Sequence, residues 1–445
     1  MTTIHLDLSK TAGPIKPMNA VNNGPVSKGV RGMSNFDDYK ALEIPYARNH
    51  DASFYSNYGG EHTVDVHRIF RNFDADENDP ASYIFSPTDK YIATTTQAGT
   101  KTFYRLGASI EHGFKYGTYP PKDFAKWARI CEHIIMHYTE GWANGFYYDI
   151  EYWEIWNEPD CGNPDGSNPC WQGTEEQFID LYCITADYLK NRFPHLKIGG
   201  PAFCASWKIP FRMKFLQEVK KRNATLDFYS FHGYLTTPDT VSELSREAVE
   251  SLEECGITNT ELIYNEWNYV KGWVGEDYIY SMRSMKGLKG ASFVAGVMAA
   301  GQASDIDMLM YYDLRPGMWS GVFDEFHTRR KPYYTFSFFR DLRRLGTWVP
   351  TDLKTDNIYS CAATDGTDSA ILLTHFTEGD DTPAAEVKIA FHNLESKNGV
   401  KVSYYLLDAD HDGDLVREEI FTASEASAYL TMPLFGSCLI KLTAL

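Results

Sequence analysis

Basic residues are in short supply in this 445-residue chain: 42 Lys and Arg stand against 60 Asp and Glu, a formal net charge of −18. No cluster of cations interrupts that deficit, which argues against nucleic acid or an anionic membrane as partner, since phosphate binding needs one. No apolar run approaches the length of a membrane-spanning helix. The opening residues 1–10 lack a basic stretch followed by an apolar one, so no secretory leader is expected. The eight cysteines show no CxxC pair and no compact disulfide spacing, and the expectation is reduced, mostly buried thiols in a cytoplasmic protein. Cys161 and Cys170 flank a Gly/Pro/Asn loop and are the pair that would bridge in an oxidising compartment. Internal repeats, low-complexity tracts and a Gly-rich phosphate turn are also missing. The last of these argues against an open dinucleotide-binding sheet.

What the chain does have is length, alternation and rings. Its 445 residues exceed what one core usually organises, so a large domain with a smaller companion is expected. Tyr, Phe and Trp make up 15% of the residues. Flat rings suit the apolar faces of sugars and fill cores equally well, so they acquire meaning only beside a catalytic motif.

Short β-rich runs at residues 43–48, 63–70, 102–106, 152–156, 197–200, 227–231, 261–264 and 307–311 alternate with helical stretches, the pattern of a parallel sheet with crossover helices. Eight such runs predict an α/β fold, a closed (β/α)8 TIM barrel. Phe124, Trp127, Ala128, Cys131, Ile134, Ile135 and Tyr138 follow helical spacing, and Thr174 with Gln177 makes a capping box. Beyond residue 345 the pattern changes to strand-like runs at 357–363, 369–376, 386–391, 401–407, 415–421 and 436–442, separated by turn residues. This predicts an accessory antiparallel β-sandwich over 346–445. Residues 1–20 carry one strand-like stretch, 4–8, expected to join the sandwich, which leaves 21–345 for the barrel.

Barrel enzymes carry their chemistry at the C-terminal ends of the strands. Two Glu residues fit that position. Glu158 closes Glu151-Tyr-Trp-Glu-Ile-Trp-Asn-Glu-Pro159, an aromatic strand halted by proline, and Glu266 closes Glu261-Leu-Ile-Tyr-Asn-Glu-Trp-Asn268, an apolar strand that turns polar. By the strand count they end the fourth and seventh strands. Two carboxyl groups flanking an anomeric carbon, one to protonate the leaving oxygen and one to attack, are what glycosidic cleavage with retention requires. Glu151, Glu154 and Glu261 lie before the strand ends and are read as structural.

The segment Trp153-Glu-Ile-Trp-Asn-Glu-Pro-Asp160 resembles clan A glycoside hydrolases, and most closely glycoside hydrolase family 39, which holds β-xylosidases and α-L-iduronidases. The resemblance implies Glu158 as general acid/base and Glu266 as nucleophile, with Asn157 bonding the sugar 2-hydroxyl. It further implies His232 and Tyr234, in Phe231-His-Gly-Tyr234, beside the nucleophile, and His50, in Tyr46-Ala-Arg-Asn-His50 at the end of the first strand, as a hydroxyl ligand. Arg48 is read as a buried residue holding loops together. After strand eight the chain departs from the β-xylosidases: Tyr311-Tyr-Asp-Leu-Arg-Pro-Gly-Met-Trp319 has no acidic pair, which puts the identity of the sugar in question. Tyr312 is the candidate platform ring there and Trp319 the candidate leaving-group contact. A uronate substrate would need a cation, for which Arg315 and Lys271 are the candidates.

The function expected is a retaining, exo-acting glycosidase, β-xylosidase-like, that takes an oligosaccharide or glycoside and needs no cofactor. A transglycosylase on the same carboxylates and a non-catalytic carbohydrate-binding protein are the alternatives, and self-association into a homo-oligomer is left open. Two metal patterns are set aside. Residues 408–419 match a calcium loop at several positions but sit between strand-like runs, and His133 with His137 lies within an amphipathic helix without the Glu of a zinc motif.

Overall fold

The computed structural model describes all residues except 29–31, 51–61, 111–115, 163–165, 205–208, 353 and 395–397. After β1 (Thr2–Asp7), eight parallel strands close into a barrel in chain order. They are β2 (Ala20–Asn22), β3 (Tyr46–Arg48), β4 (Lys101–Leu106), β5 (Tyr152–Ile155), β6 (Lys197–Phe203), β7 (Phe228–Leu235), β8 (Glu261–Tyr269) and β9 (Met308–Tyr311). Closure is made by β2 against β9, Ala20 opposite Met310 and Val21 opposite Tyr311.

Two readings of the barrel are corrected. Its first strand is β2, a three-residue element too short to show alternation and followed by an Asn23-Gly24 that reads as a turn. Residues 63–70 are not a strand: Val66–Ile69 form a short helix. The buried Val66, Ile69 and Phe70 are spaced i, i+3, i+4, which is helical, while Val64 and Val66 alone mimic a strand. One strand was missed and one miscounted, so the total of eight stands, and the strands ending near residues 157 and 266 are still the fourth and seventh. Arg48 and His50, however, close the second strand rather than the first.

The connecting helices follow ordinary sequence chemistry. The helix Phe124–Thr139 buries Trp127, Ala128, Cys131, Ile134, Ile135 and Tyr138 against the barrel wall, with the Asp123 side chain accepting the Lys126 amide. The helix Glu175–Arg192 opens on a capping box, in which Thr174 Oγ1 accepts from the Gln177 amide and Gln177 Oε1 from the Thr174 amide.

Downstream lie β10 (Thr347–Val349), β11 (Lys354–Thr355), β12 (Ile358–Thr364), β13 (Ser369–His375), β14 (Ala385–His392), β15 (Val400–Leu407), β16 (Asp412–Phe421), β17 (Ala426–Met432) and β18 (Ser437–Ala444). β1, β14 and β17 form one sheet and the remaining strands the other, and Ile4, Leu6, Val387, Ile389, Phe391, Ile371, Val402 and Ile440 share the core between them. Every pairing is antiparallel except β1 with β14, which is parallel. β17, unmarked in the sequence reading, is a weakly alternating Ala-Ser-Ala-Tyr-Leu-Thr-Met whose exposed Tyr429 faces solvent. The sandwich rests on the helices Leu288–Ala303 and Lys331–Leu345, and Ser292 Oγ donates to the His375 carbonyl across that seam. Residues 408–411 form the turn between β15 and β16 and residues 412–419 lie in β16, with Asp408 Oδ1 accepting the Asp410 and His411 amides.

What positions the site is the layering inside the barrel. Near the N-terminal ends the lumen is filled by Ala20, Phe103, Tyr152, Phe228, Ile263, Met308 and Met310. One layer further up, the inward residues become Asn22, Arg48, Arg105, Glu154, Ser230 and Asn265, all fully buried. An apolar plug thus gives way to a polar layer, and the residues above it are held from below.

Candidate active site

Arg48 is the hub of the polar layer. Its Nε donates to Glu154 Oε2 at 2.7 Å, Nη1 to Glu266 Oε1 at 2.9 Å and to Asn22 Oδ1 at 3.2 Å, and Nη2 to Asn157 Oδ1 at 2.6 Å. Burial works against its charge, but Glu154 and Glu266 outweigh that and raise its pKa. Glu154 Oε1 also accepts from Ser230 Oγ at 2.6 Å and Asn265 Nδ2 at 2.5 Å, so this carboxylate is fully occupied by structure.

Glu266 faces inward because of a bulge. The register of β8 shifts against β7 between the pairs Phe231–Tyr264 and His232–Glu266, and against β9 between Tyr264 and Trp267. In a regular strand Asn265 and Glu266 would point to opposite faces. With the extra residue both reach the lumen, Asn265 to Glu154 and Glu266 to Arg48. Period-two spacing on β7 supplies the rest: Ser230 bonds Glu154, His232 meets Glu158 with Nδ1 2.7 Å from Oε1, and Tyr234 OH donates to Glu266 Oε2 at 2.9 Å.

Glu158 is presented by a strained turn. Trp156 and Glu158 both have left-handed backbones, φ of 76° and 48°, uncommon for non-glycine residues. The turn is tied down by the Glu158 amide donating to the Ala202 carbonyl at 2.9 Å and by Trp156, whose Nε1 donates to the Cys170 carbonyl at 2.9 Å. Gly107 lets the Trp156 ring approach, since a Cβ there would lie 2.9 Å from it.

A carboxylate oxygen of Glu158, a ring nitrogen of His232 and a carboxylate oxygen of Glu266 lie within 4.8 Å of one another. Glu266 is 6% exposed and Glu158 14%, so the pair sits at the floor of an opening. His50 Nε2 is 3.4 Å from Glu266 Oε1, and Arg105 Nε donates to His50 Nδ1 at 3.3 Å. Because Nδ1 accepts, the ring proton is on Nε2, facing the carboxylate. Burial, with Arg48 and Arg105 close by, holds the His50 pKa well below its ordinary value, and burial likewise lowers that of His232 against the opposing pull of Glu266. Both rings are therefore neutral at neutral pH. Asn157 is oriented by Arg48 through its oxygen, which leaves its buried Nδ2 with no hydrogen-bond partner among the described residues, and His232 Nε2 is in the same position.

Above the carboxylates stand rings. Tyr312 lies 6.4 Å from the His50 ring and 6.3 Å from Trp319, and Trp319 in turn is 6.1 Å from Tyr234 and 5.7 Å from Trp273. All eight candidate residues are thus gathered at one end of the barrel. The Arg315 guanidinium lies over the Tyr91 ring, and Lys271 pairs with Asp277 at 3.1 Å. The sequence reading passed over Arg48 as a loop-holder, although it contacts Glu266, Glu154 and Asn157 directly. It also overlooked Ser230, Asn265 and Trp273, the last an exposed ring whose position in a loop gives no signal of its own.

A (β/α)8 barrel with an appended β-sandwich, carrying paired glutamates at the C-terminal ends of strands four and seven, is the class of protein that this fold and site define. Residues 4–261 match glycosyl hydrolases family 39, and the chain belongs to that family. It is 27% identical to a β-xylosidase of Geobacillus stearothermophilus over 178 residues, 37% of this chain and 33% of that protein. It is 26% identical to a β-xylosidase of Caldicellulosiruptor saccharolyticus over 239 residues, 48% of this chain and 46% of that one. The matches thus span a third to a half of these curated relatives. In fold the chain is similar to a glucosidase from Croceicoccus marinus, with a TM-score of 0.79 at 19% identity, covering 100% of this chain and 99% of that one.

Proposed function

We propose that the chain is a retaining, exo-acting glycoside hydrolase, β-xylosidase-like, working by double displacement with Glu266 as nucleophile and Glu158 as acid/base. The observation that carries the reading is the approach of an oxygen of Glu158 and one of Glu266 to within 4.8 Å beside His232, which suits the close pair of a retaining enzyme. Glu266 attacks the anomeric carbon while the bond to the leaving oxygen breaks and Glu158 gives that oxygen its proton. Water then yields a proton to Glu158, attacks the same carbon, and displaces Glu266.

The partners of each carboxylate suit its task. Glu266 must stay ionised to attack, and it has Arg48, Tyr234 and the His50 ring proton around it. Glu158 must alternate between acid and base. Its partner is a neutral His232, whose Nδ1 donates to the carboxylate or accepts from the acid according to tautomer. Asn157 Nδ2 is the donor available to a sugar hydroxyl, and Tyr312, Trp319 and Trp273 offer flat apolar faces above it. Release of a terminal sugar and the xylose preference are taken from likeness to the β-xylosidases, and a cytoplasmic location from the cysteine pattern. Among the described residues no helix is long and apolar enough to cross a membrane.

A panel of aryl xylosides, arabinosides, galactosides and uronides tests this reading, with the anomer of the first-formed product read by NMR. Turnover with retained configuration is expected on at least one of them. Transfer to added sugar in place of water would identify a transglycosylase, and binding without turnover across the panel would leave a carbohydrate-binding protein.

A further inference from the structure

We propose that Glu158, Cys161 and Cys170 form a site for a thiophilic divalent cation of the zinc class, and that filling it switches Glu158 off. A Glu158 carboxylate oxygen and the Cys161 and Cys170 sulfurs lie within 4.8 Å of one another. The Cys170 thiol already donates to Glu158 Oε2 at 3.7 Å. Two thiolates on tetrahedral zinc, each at ~2.3 Å, stand about 3.8 Å apart, so the ligands need to close by about 1 Å at most. One oxygen and two sulfurs favour a soft or borderline ion over magnesium or calcium, which take oxygen alone.

The ligands are also held in place. Asn168 bridges the two chain segments that carry them, its Nδ2 donating to the Pro159 carbonyl at 2.8 Å and its Oδ1 accepting the Cys170 and Trp171 amides at 2.8 and 2.9 Å. Asp160 Oδ1 accepts the Cys204 amide at 2.8 Å. A cleft of about 350 Å³ lined by Pro159, Asp160, Gly162, Asn168 and Trp171 runs beside the cluster and gives an ion a way in. On binding, two thiol protons leave to solvent, the sulfurs and the Glu158 oxygen coordinate the ion, and the fourth position is left to water. A coordinated Glu158 carries no proton to give, so the leaving group cannot be protonated.

The inhibitory half rests on Glu158 being the acid/base; the binding half does not, and the two are measured separately. Cadmium added to the reduced protein should give the ultraviolet thiolate-to-cadmium charge-transfer band, and Cys161→Ser with Cys170→Ser should abolish it while circular dichroism remains that of the folded chain. If the unsubstituted protein gives no band, the site does not exist. Zinc should abolish turnover of a glycoside with a poor leaving group, EDTA should restore it, and either Cys→Ser change should raise the half-inhibitory zinc concentration by roughly tenfold or more. Equal sensitivity in the variants would overturn the assignment and move the ion to Glu158, His232 and Glu266, which also lie within 4.8 Å of one another. A cadmium band with undiminished turnover would keep the site and reject the switch.

Discussion

The barrel has a glutamate pair at each end, contributed by the same two strands. At the N-terminal end Glu151, just before β5, and Glu261 of β8 bracket Lys197 Nζ at 2.9 and 2.6 Å, with Tyr152 OH donating to Glu261 and Tyr46 OH to Glu151. At the C-terminal end stand Glu158 and Glu266. The lower pair is about a third exposed and has a lysine between its members; burial lowers the lysine pKa, but Glu261, Tyr152 and Glu151 outweigh it and the net shift is upward. The upper end offers one arginine to Glu154 and Glu266 together, and Glu158 meets a neutral histidine and the Cys170 thiol. Two carboxylates at a barrel end are therefore not a signature of chemistry. What distinguishes the upper pair is deeper burial, with an arginine shared between Glu154 and Glu266 and a histidine set between Glu158 and Glu266.

The largest effect that separates the ends should be on turnover. Glu266→Ala is expected to lower kcat/KM by on the order of 10⁴-fold or more on every substrate, because the nucleophile forms the covalent bond in each cycle. Glu261→Ala, at the other end of the same strand, should change it by less than about threefold, consistent with a surface ion pair. Equal losses in the two variants would erase the distinction between the ends.

Glu158→Ala should cost about 10²- to 10⁴-fold on glycosides with poor leaving groups and much less on activated aryl glycosides, since only the former need the proton. Azide should rescue Glu158→Ala with retained configuration, the nucleophile being intact. For Glu266→Ala any rescued product should be inverted. The opposite stereochemistry would swap the two roles.

Stability should divide along the same line. Arg48→Met leaves Glu154 buried beside Ser230 and Asn265 without its cation, and breaking a buried pair this way costs ~3–5 kcal/mol. Lys197→Met removes contacts to two partly exposed glutamates and should cost about 1 kcal/mol. Urea unfolding of both variants measures the difference, and comparable values would mean that the upper layer is more solvated than its burial indicates.

How much of this was readable beforehand follows from what each feature depends on. Glu158 and Glu266 stood out because a strand that ends in Asn-Glu-Pro or turns abruptly polar breaks its own pattern. His232 and Tyr234 were legible through the family resemblance, whereas Ser230, which the period of two places on their face, carries no signal of its own. Arg48 was underrated because a buried arginine is equally a structural residue and a site residue, and only its reach to both Glu154 and Glu266 decides. The bulge at Asn265 leaves no mark in a single sequence, since the inserted residue is an ordinary asparagine. Ala20–Asn22 was lost for the opposite reason, three residues being too few for any period, whereas 63–70 carried enough valine to imitate a strand around a helical turn.

The smallest effect expected concerns His50 and isolates the burial of the upper layer from its chemistry. Its ring is fully buried, and burial together with Arg48 and Arg105 lowers its pKa well below the ordinary 6.5. At pH above about 7 the ring is neutral both folded and unfolded, and it contributes no pH dependence. As pH falls below 6.5 the unfolded chain takes up a proton that the folded chain refuses, so stability is lost on acidification. At about pH 5 the loss from this group is at most roughly 1.5 pH units at 1.36 kcal/mol each, about 2 kcal/mol. His50→Gln, which keeps a polar group between Arg105 and Glu266 but does not titrate, should therefore lose less stability than the unsubstituted chain between about pH 7 and pH 5, by at most about 2 kcal/mol. Parallel urea titrations at the two pH values give the comparison. Identical pH dependence in both proteins would mean that His50 protonates in place, beside Glu266, and that the upper end is open enough to water to accept the charge.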